Sequence, residues 1–534
     1  MVMATSVLLG ACTQETKKTD EAAPLIKRTE VKSENGVLTP EVLYSMARVS
    51  DAQVSPDGSK VLYGVTFISV EQNKGNRELF VVNADGSDKK QITETPQSEQ
   101  NAVWIKGGKE IAFLSSESGS SQIWVMNADG SNRRQLSKLE NGINAFAFSP
   151  DESKVLYIQD IKFGQRTVDL YADLPKATGR VVDDLLYKHW DEWVETVPHP
   201  FVASVTESGL TDMADIMEGE PFECPMKPNS GIEDLAWSPD GKLIAYASRK
   251  KTGKAYALST NSDIYIYDLA SKNTRNLTEG MMGYDIMPQF SPDGKSIAWV
   301  SQERDGYESD KKRLFVANLE TGEKQDLTQS FDYNADAIQW LPDGKSLYMI
   351  ACKEAVTHIW QVGVADKQIR QITNGQYDYV SMHSVGNTMA AIRQSQVNPS
   401  EVFAVNTQSG EATEISFENK AILDQLNMPK SESRWIKTTD NKQMLTWVVY
   451  PPHFDPAKKY PAILYCQGGP QSTVSQFWSY RWNLAIMASK GYIVVAPNRR
   501  GLPGFGQEWN EQISGDYGGQ NMKDYFSAID ELAK

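Results

Sequence analysis

A ten-residue pattern recurs through most of the chain and limits the architectures open to it. Val54-Ser-Pro-Asp-Gly-Ser-Lys-Val-Leu-Tyr63 returns as Phe148-Ser-Pro-Asp-Glu-Ser-Lys-Val-Leu-Tyr157, Trp237-Ser-Pro-Asp-Gly-Lys-Leu-Ile-Ala-Tyr246, Phe290-Ser-Pro-Asp-Gly-Lys-Ser-Ile-Ala-Trp299 and Trp340-Leu-Pro-Asp-Gly-Lys-Ser-Leu-Tyr-Met349, with weaker copies over 104–113 and 383–392. A second pattern follows in phase: an aromatic-rich strand, a polar turn and a closing strand ending in Leu-Thr or Ile-Thr, as at Ile92-Thr93 and Leu327-Thr328. Pro presets φ, Asp bonds its own backbone and Gly takes positive φ, so each copy reads as a turn between strands. A unit of roughly 40–50 residues with about four strands is a propeller blade. Seven units over 50–417 predict a closed seven-bladed ring. Its turn residues repeat because blades repeat, and no chemistry is assigned to them.

The spacing breaks between Tyr157 and Leu235, where an insertion of about 160–231 is expected. It carries Leu186-Tyr-Lys-His-Trp-Asp-Glu-Trp-Val-Glu195 and an irregular acidic stretch from Asp212 to Cys224. One reading is an aromatic plug with solvated carboxylates. The other is a pocket wall in which a carboxylate receives a cation beside an aromatic face, which suits a peptide α-amine.

Past the repeat, 418–433 reads as a linker and the pattern changes. Segments 435–438 and 445–450 read as strands. The apolar run 462–466 reads as a strand buried on both faces, 484–489 as a crossover helix, and 493–496 as the next parallel strand. Residues 518–534 form an amphipathic pattern with Met522, Tyr525, Phe526, Ile529 and Leu532 on one side. The fold class predicted is a seven-bladed β-propeller, 50–417, followed by the N-terminal part of an α/β-hydrolase domain, 434–534, with 25–49 as an N-terminal segment.

In that hydrolase fold one oxyanion donor comes from the loop after the third strand. Gln467-Gly468-Gly469-Pro470 occupies such a loop, and glycines there let the backbone approach a substrate carbonyl. A plain turn is the competing reading. The fold's nucleophile elbow, Gly-x-Ser-x-Gly, is absent from the 534 residues, and the last of five histidines, His453, precedes the loop. Residues 1–534 are therefore expected not to hydrolyse anything by that route.

A net charge of -15 with no basic block excludes a nucleic-acid partner. The four scattered cysteines give neither zinc spacing nor a disulfide framework. Leu9-Gly-Ala-Cys12 resembles a bacterial lipobox, so Cys12 is the candidate lipidation site, with 1–24 as signal remnant and tether. The expected location is the bacterial cell envelope, periplasmic or membrane-anchored, with the membrane touched only through that lipid. Since Met1 to Ala11 carries no Lys or Arg, either the start lies upstream or the match is accidental.

Trp447-Val-Val-Tyr-Pro-Pro452, Gly468-Gly-Pro470, Asn498-Arg-Arg-Gly-Leu-Pro-Gly-Phe-Gly506 and Gly515-Asp-Tyr-Gly-Gly519, set behind seven blades, closely resemble the prolyl oligopeptidase family of serine peptidases. The branch resembled is that of acylaminoacyl peptidases and dipeptidyl-peptidases 5, from Val37 onward. The resemblance implies a propeller capping the active site and admitting short peptides; no cofactor or metal is expected. It implies a Ser/Asp/His triad outside residues 1–534, the Ser within a few tens of residues of Lys534. Gln467 stands where relatives often carry Tyr or His, which puts the strength of the oxyanion hole in question. Glu192 or Glu195, beside Trp190, is the candidate holder of a substrate amine. Arg499 and Arg500 either fix a substrate carbonyl or make internal salt bridges, the latter favoured for at least one. Two other functions stay open: a lipid-anchored binding propeller with a non-catalytic hydrolase remnant, and an esterase.

Overall fold

The computed structural model describes residues 24–534 apart from 190, 228, 229, 470 and 471. Seven four-stranded antiparallel units follow one another, each from a continuous stretch of chain. The first uses Arg48–Val54, Lys60–Ser69, Lys74–Asn83 and Lys90–Gln91; the others begin at Gln100, Ala145, Leu235, Asp285, Asp336 and Asp378, and the last ends at Glu414.

The recurring decapeptide is the turn from first to second strand. Ser55 donates its hydroxyl to Asp57 at 2.5 Å and accepts the Lys60 N–H at 2.9 Å, and Gly58 takes φ +75°. The same exchange joins Ser149 to Asp151, Ser238 to Asp240 and Ser291 to Asp293. These hydroxyl bonds stabilise the carboxylate, so Asp57 and Asp151 titrate at about 2. The Leu-Thr ending has an equally local cause. In six units its hydroxyl accepts the backbone N–H of the third strand 14 residues earlier, as Thr93 does from Leu79 and Thr328 from Leu314. Both repeated motifs therefore satisfy backbone groups that the sheet ladder leaves over.

Seven apolar clusters lie between neighbouring units, and one of them closes the ring. Val49, Val54 and Val61 of the first unit pack on Ala390, Ile392 and Val402 of the last. Among the described residues no strand is exchanged between the first and last units, so closure rests on that packing and on polar ties. Asn419 accepts the Ala47 N–H at 2.8 Å and donates to the Ala47 carbonyl at 3.0 Å; buried Glu418 meets Arg28, Lys89 and the Tyr63 hydroxyl.

The expected single insertion over 160–231 is corrected. Thr196–Thr206 and Gly209–Asp215 are the third and fourth strands of the third blade, so the acidic stretch from Asp212 begins inside a strand. The extra chain falls into two parts, 163–195 between the second and third strands and 216–234 leading to the fourth blade. Long strands there, Lys154–Lys162 paired with Thr196–Thr206, lift the first part off the ring.

Beyond the ring lies a second structural unit, 430–534, hereafter the second unit, whose four-stranded sheet is ordered Lys430–Lys437, Gln443–Tyr450, Ile493–Pro497, Ala462–Leu464, the last two parallel. Its first strand starts within the stretch read as linker. Ala462–Leu464 is an edge strand and half-exposed, not buried on both faces, because among the described residues it has a partner on one side only. The final helix, Gln520–Ala533, is rotated about the expected face: Tyr525, Ile529 and Leu532 turn inward as expected, but Met522 and Phe526 are exposed, and Asn521, Asp524 and Ala528 are buried instead. The inward pull of Asp524 toward Arg500 explains the rotation. Leu38 and, from the helix Pro40–Ser45 capped by Thr39, Val42 and Leu43 pack against Trp478 and Ala485, tying the N-terminal segment to the second unit.

Candidate active site

The second unit sits on one rim of the ring. Turns joining second to third strands reach it from three blades. Tyr307 meets the Ser514 hydroxyl at 2.6 Å, Asn510 donates to the Ser309 carbonyl at 2.8 Å, the Glu354 N–H bonds the Gly504 carbonyl at 2.8 Å, and Gln396 donates to the Ser475 carbonyl at 2.8 Å. Because every blade runs up and down in the same order, turns of this class all emerge on the same rim. The segment 163–195 is that turn in the third blade. It therefore projects from the rim on which the second unit is docked.

Within it, Lys188–His189 and Glu192–Trp193 form a short hairpin. Glu192 and Asp191 line a cavity of about 650 Å³ with Asn144, Asp160 and Lys227. Asn144 also lines a cavity of about 910 Å³ bounded by first strands of several blades around Asn101, Trp104 and Phe146. The two spaces thus share a wall residue. Glu195 is not an equivalent of Glu192: Arg180 bonds it at 2.9 Å and stacks over Trp193 at 4.3 Å, so its charge is already matched. Trp190 lies outside the described residues, as does Cys12.

The glycine loop leaves the edge strand after Tyr465, whose N–H bonds the Val495 carbonyl at 2.8 Å. Tyr465 donates its hydroxyl to Gln467 Oε1 at 2.8 Å, and Gln467 Nε2 lies 3.3 Å from the Gly468 carbonyl, so the carboxamide is folded onto its own loop. The Gln467 carbonyl accepts from Arg499 Nη2 at 3.0 Å and from the Tyr525 hydroxyl at 2.9 Å. A trans peptide holds C=O and N–H on opposite sides. Anchoring that oxygen inward turns the Gly468 N–H outward, at an exposed residue. A Cβ built on Gly468 would meet no described atom within 4 Å, so no described neighbour demands a glycine there.

Arg500 makes the internal salt bridges expected of at least one of the two arginines, and Arg499 is bonded inside the protein. Arg500 bonds Asp524 at 2.7 Å and Asp440 at 2.9 Å, and holds the Asp440 carboxyl well below its ordinary range. Arg499 is 3% exposed, and each of its three nitrogens donates inside the protein: to the Tyr525 hydroxyl, the Arg500 carbonyl and the Gln467 carbonyl. Tyr525 and Asn498 were not singled out from the sequence. Tyr525 read as an apolar helix face, and nothing in the motif distinguished Asn498. His199 and His358 are buried, and His383 accepts the Val54 N–H at 3.0 Å; these are framework histidines. Among the described residues, no group of His, Cys, Asp and Glu is arranged to hold a metal ion.

Residues 42–176 match the TolB beta propeller domain, and 478–534 match the prolyl oligopeptidase family. Dipeptidyl-peptidase 5 of Porphyromonas gingivalis is 62% identical over 497 residues, covering 93% of this chain and 73% of the relative. Its counterpart in Porphyromonas endodontalis is 52% identical, over 95% of this chain and 73% of the relative. Among solved structures, an acylaminoacyl peptidase in complex with Z-Gly-Gly-Phe-chloromethyl ketone shares the fold, with TM-score 0.74 at 18% identity over 92% of this chain and 72% of that one. Both units and this degree of identity lead to one conclusion: the chain belongs to the prolyl oligopeptidase family of serine peptidases.

Proposed function

We propose that the protein is a serine exopeptidase that releases dipeptides from the N-terminus of short peptides through an acyl-enzyme. The observation carrying this reading is the shared rim: the turn bearing Glu192 and its cavity emerges on the face that docks the unit bearing Gly468. An amine held by a carboxylate on the ring and a carbonyl received by an amide on the peptidase unit would fix which bond is cut.

In the reaction a serine hydroxyl, deprotonated by an imidazole, attacks the carbonyl of the second residue. The Gly468 N–H receives the charge that develops on its oxygen, the amine product leaves with the proton, and water then releases the dipeptide. Residues 1–534 lack Gly-x-Ser-x-Gly, so this reading requires the nucleophile to come from sequence outside them. The test is an assay of the protein expressed from its complete reading frame on free-amine dipeptidyl, N-acylated aminoacyl and simple ester substrates. Turnover of the first class supports the proposal; turnover of esters alone contradicts it. Lipidation at Cys12 and an envelope location belong to the same reading, supported by the Leu-Gly-Ala-Cys sequence.

A further inference from the structure

We infer that Arg499, Tyr525 and Asn498 are positioning residues that aim and polarise the Gly468 amide; the inference rests on the peptidase reading above. The loop from Gln467 to Val474 is pinned at both ends by consecutive residues of one turn. At its start, Arg499 and Tyr525 converge on the Gln467 carbonyl at 3.0 and 2.9 Å. At its end, Asn498, fully buried, accepts the Val474 N–H at 2.9 Å and donates to the Val474 carbonyl at 3.0 Å. Trp447 adds a bond to the same carbonyl at 2.8 Å.

Arg499 is the informative member. A buried guanidinium is ordinarily matched by a carboxylate, as Arg500 is by Asp524. Among the described residues Arg499 forms no ion pair, and its three nitrogens meet neutral acceptors. Its charge thus bears on the oxygen of the very peptide whose N–H faces outward. A cation at the C=O end draws electron density from the N–H end and makes that proton a stronger donor. Gly501 leaves room for Ile513 and for it: at φ +94°, a Cβ there would lie 2.5 Å from Ile513 Cγ2 and 2.7 Å from Arg499 Nη1.

The experiment compares Tyr525→Phe and Arg499→Lys with wild type, each expressed from the complete reading frame. It reads kcat and KM on a dipeptidyl substrate, thermal midpoint, and inhibition by a peptide aldehyde and by the product dipeptide. The aldehyde forms a tetrahedral adduct that presents an oxyanion; the dipeptide does not. The expected result is a fall in kcat of about tenfold for Tyr525→Phe and more for Arg499→Lys, with KM and dipeptide affinity unchanged and aldehyde affinity lost in step with kcat. Tyr525→Phe removes only a hydroxyl, so it carries the test if Arg499→Lys does not fold. A drop in thermal midpoint with an unchanged ratio of aldehyde to dipeptide affinity overturns the inference and leaves a structural role. Wild type without turnover of any substrate overturns the peptidase reading itself.

Discussion

Arg500 and Asp524 meet at 2.7 Å with both side chains closed to solvent, joining the turn after Ile493–Pro497 to the final helix. Asp524 also accepts the Arg500 backbone N–H at 3.1 Å, and Asp440 takes the outer edge of the same guanidinium. The pair sets the rotation of the helix and so brings Tyr525 to the Gln467 carbonyl.

Asp524→Ala leaves a buried guanidinium without its inner partner. The expected cost is about 3–5 kcal/mol, read as a large fall in the thermal midpoint of the peptidase unit. Asp440→Ala, at a side chain 36% exposed, is expected to cost on the order of 1 kcal/mol. Equal losses in the two variants contradict the assignment of Asp524 as the inner anchor.

Asp285 in the fifth blade gives a pH signature. It is fully buried, accepts the Trp299 indole N–H at 3.1 Å, and its Oδ2 has no partner among the described residues. Burial pushes its carboxyl up to about 7 from the ordinary 3.8. The folded state therefore holds the proton more tightly than the unfolded one, and the group's contribution is fully present below 3.8 and lost as pH rises to about 7. Asp285→Asn keeps the acceptor for Trp299 and removes the charge. Its thermal midpoint is expected to exceed wild type at pH 8 and to converge with it toward pH 4. A constant difference across that range counts against the mechanism.

The ring was readable because its signals are local. Ser-Pro-Asp-Gly bonds close within a turn and the Leu-Thr hydroxyl reaches a strand in the same blade, so both survive in a single sequence. What lay hidden depended on contacts between distant segments. Gln467 and Tyr525 are 58 positions apart; apolar periodicity turned Tyr525 inward but gave no sign of its hydroxyl bond to that carbonyl, and it wrongly favoured Met522 and Phe526 over Asp524. The third blade misled for a related reason. An interruption between its second and third strands displaced the spacing, so Thr196–Thr206 read as insertion. The glycine loop was legible by motif, but the set of its side chain was not: the fold ties the Gln467 carboxamide to Tyr465 and turns the Gly468 amide outward.

Cys12 supplies a prediction about location. In its native host, the protein from the complete reading frame is expected in the membrane fraction and labelled by a fatty-acid probe. Cys12→Ser is expected to abolish the label and release the protein. A wild type that is unlabelled and already released contradicts the lipoprotein proposal.

Glu192→Gln asks whether the carboxylate on the ring and the Gly468 amide on the peptidase unit act on one substrate. An ion pair to a substrate amine is a charge-assisted bond, so removing its charge should raise KM for free-amine dipeptidyl substrates by about 10- to 100-fold. The same substrates blocked at the amine should be turned over as by wild type. That split is the predicted result; equal effects on free and blocked substrates, or no effect on either, contradict the account.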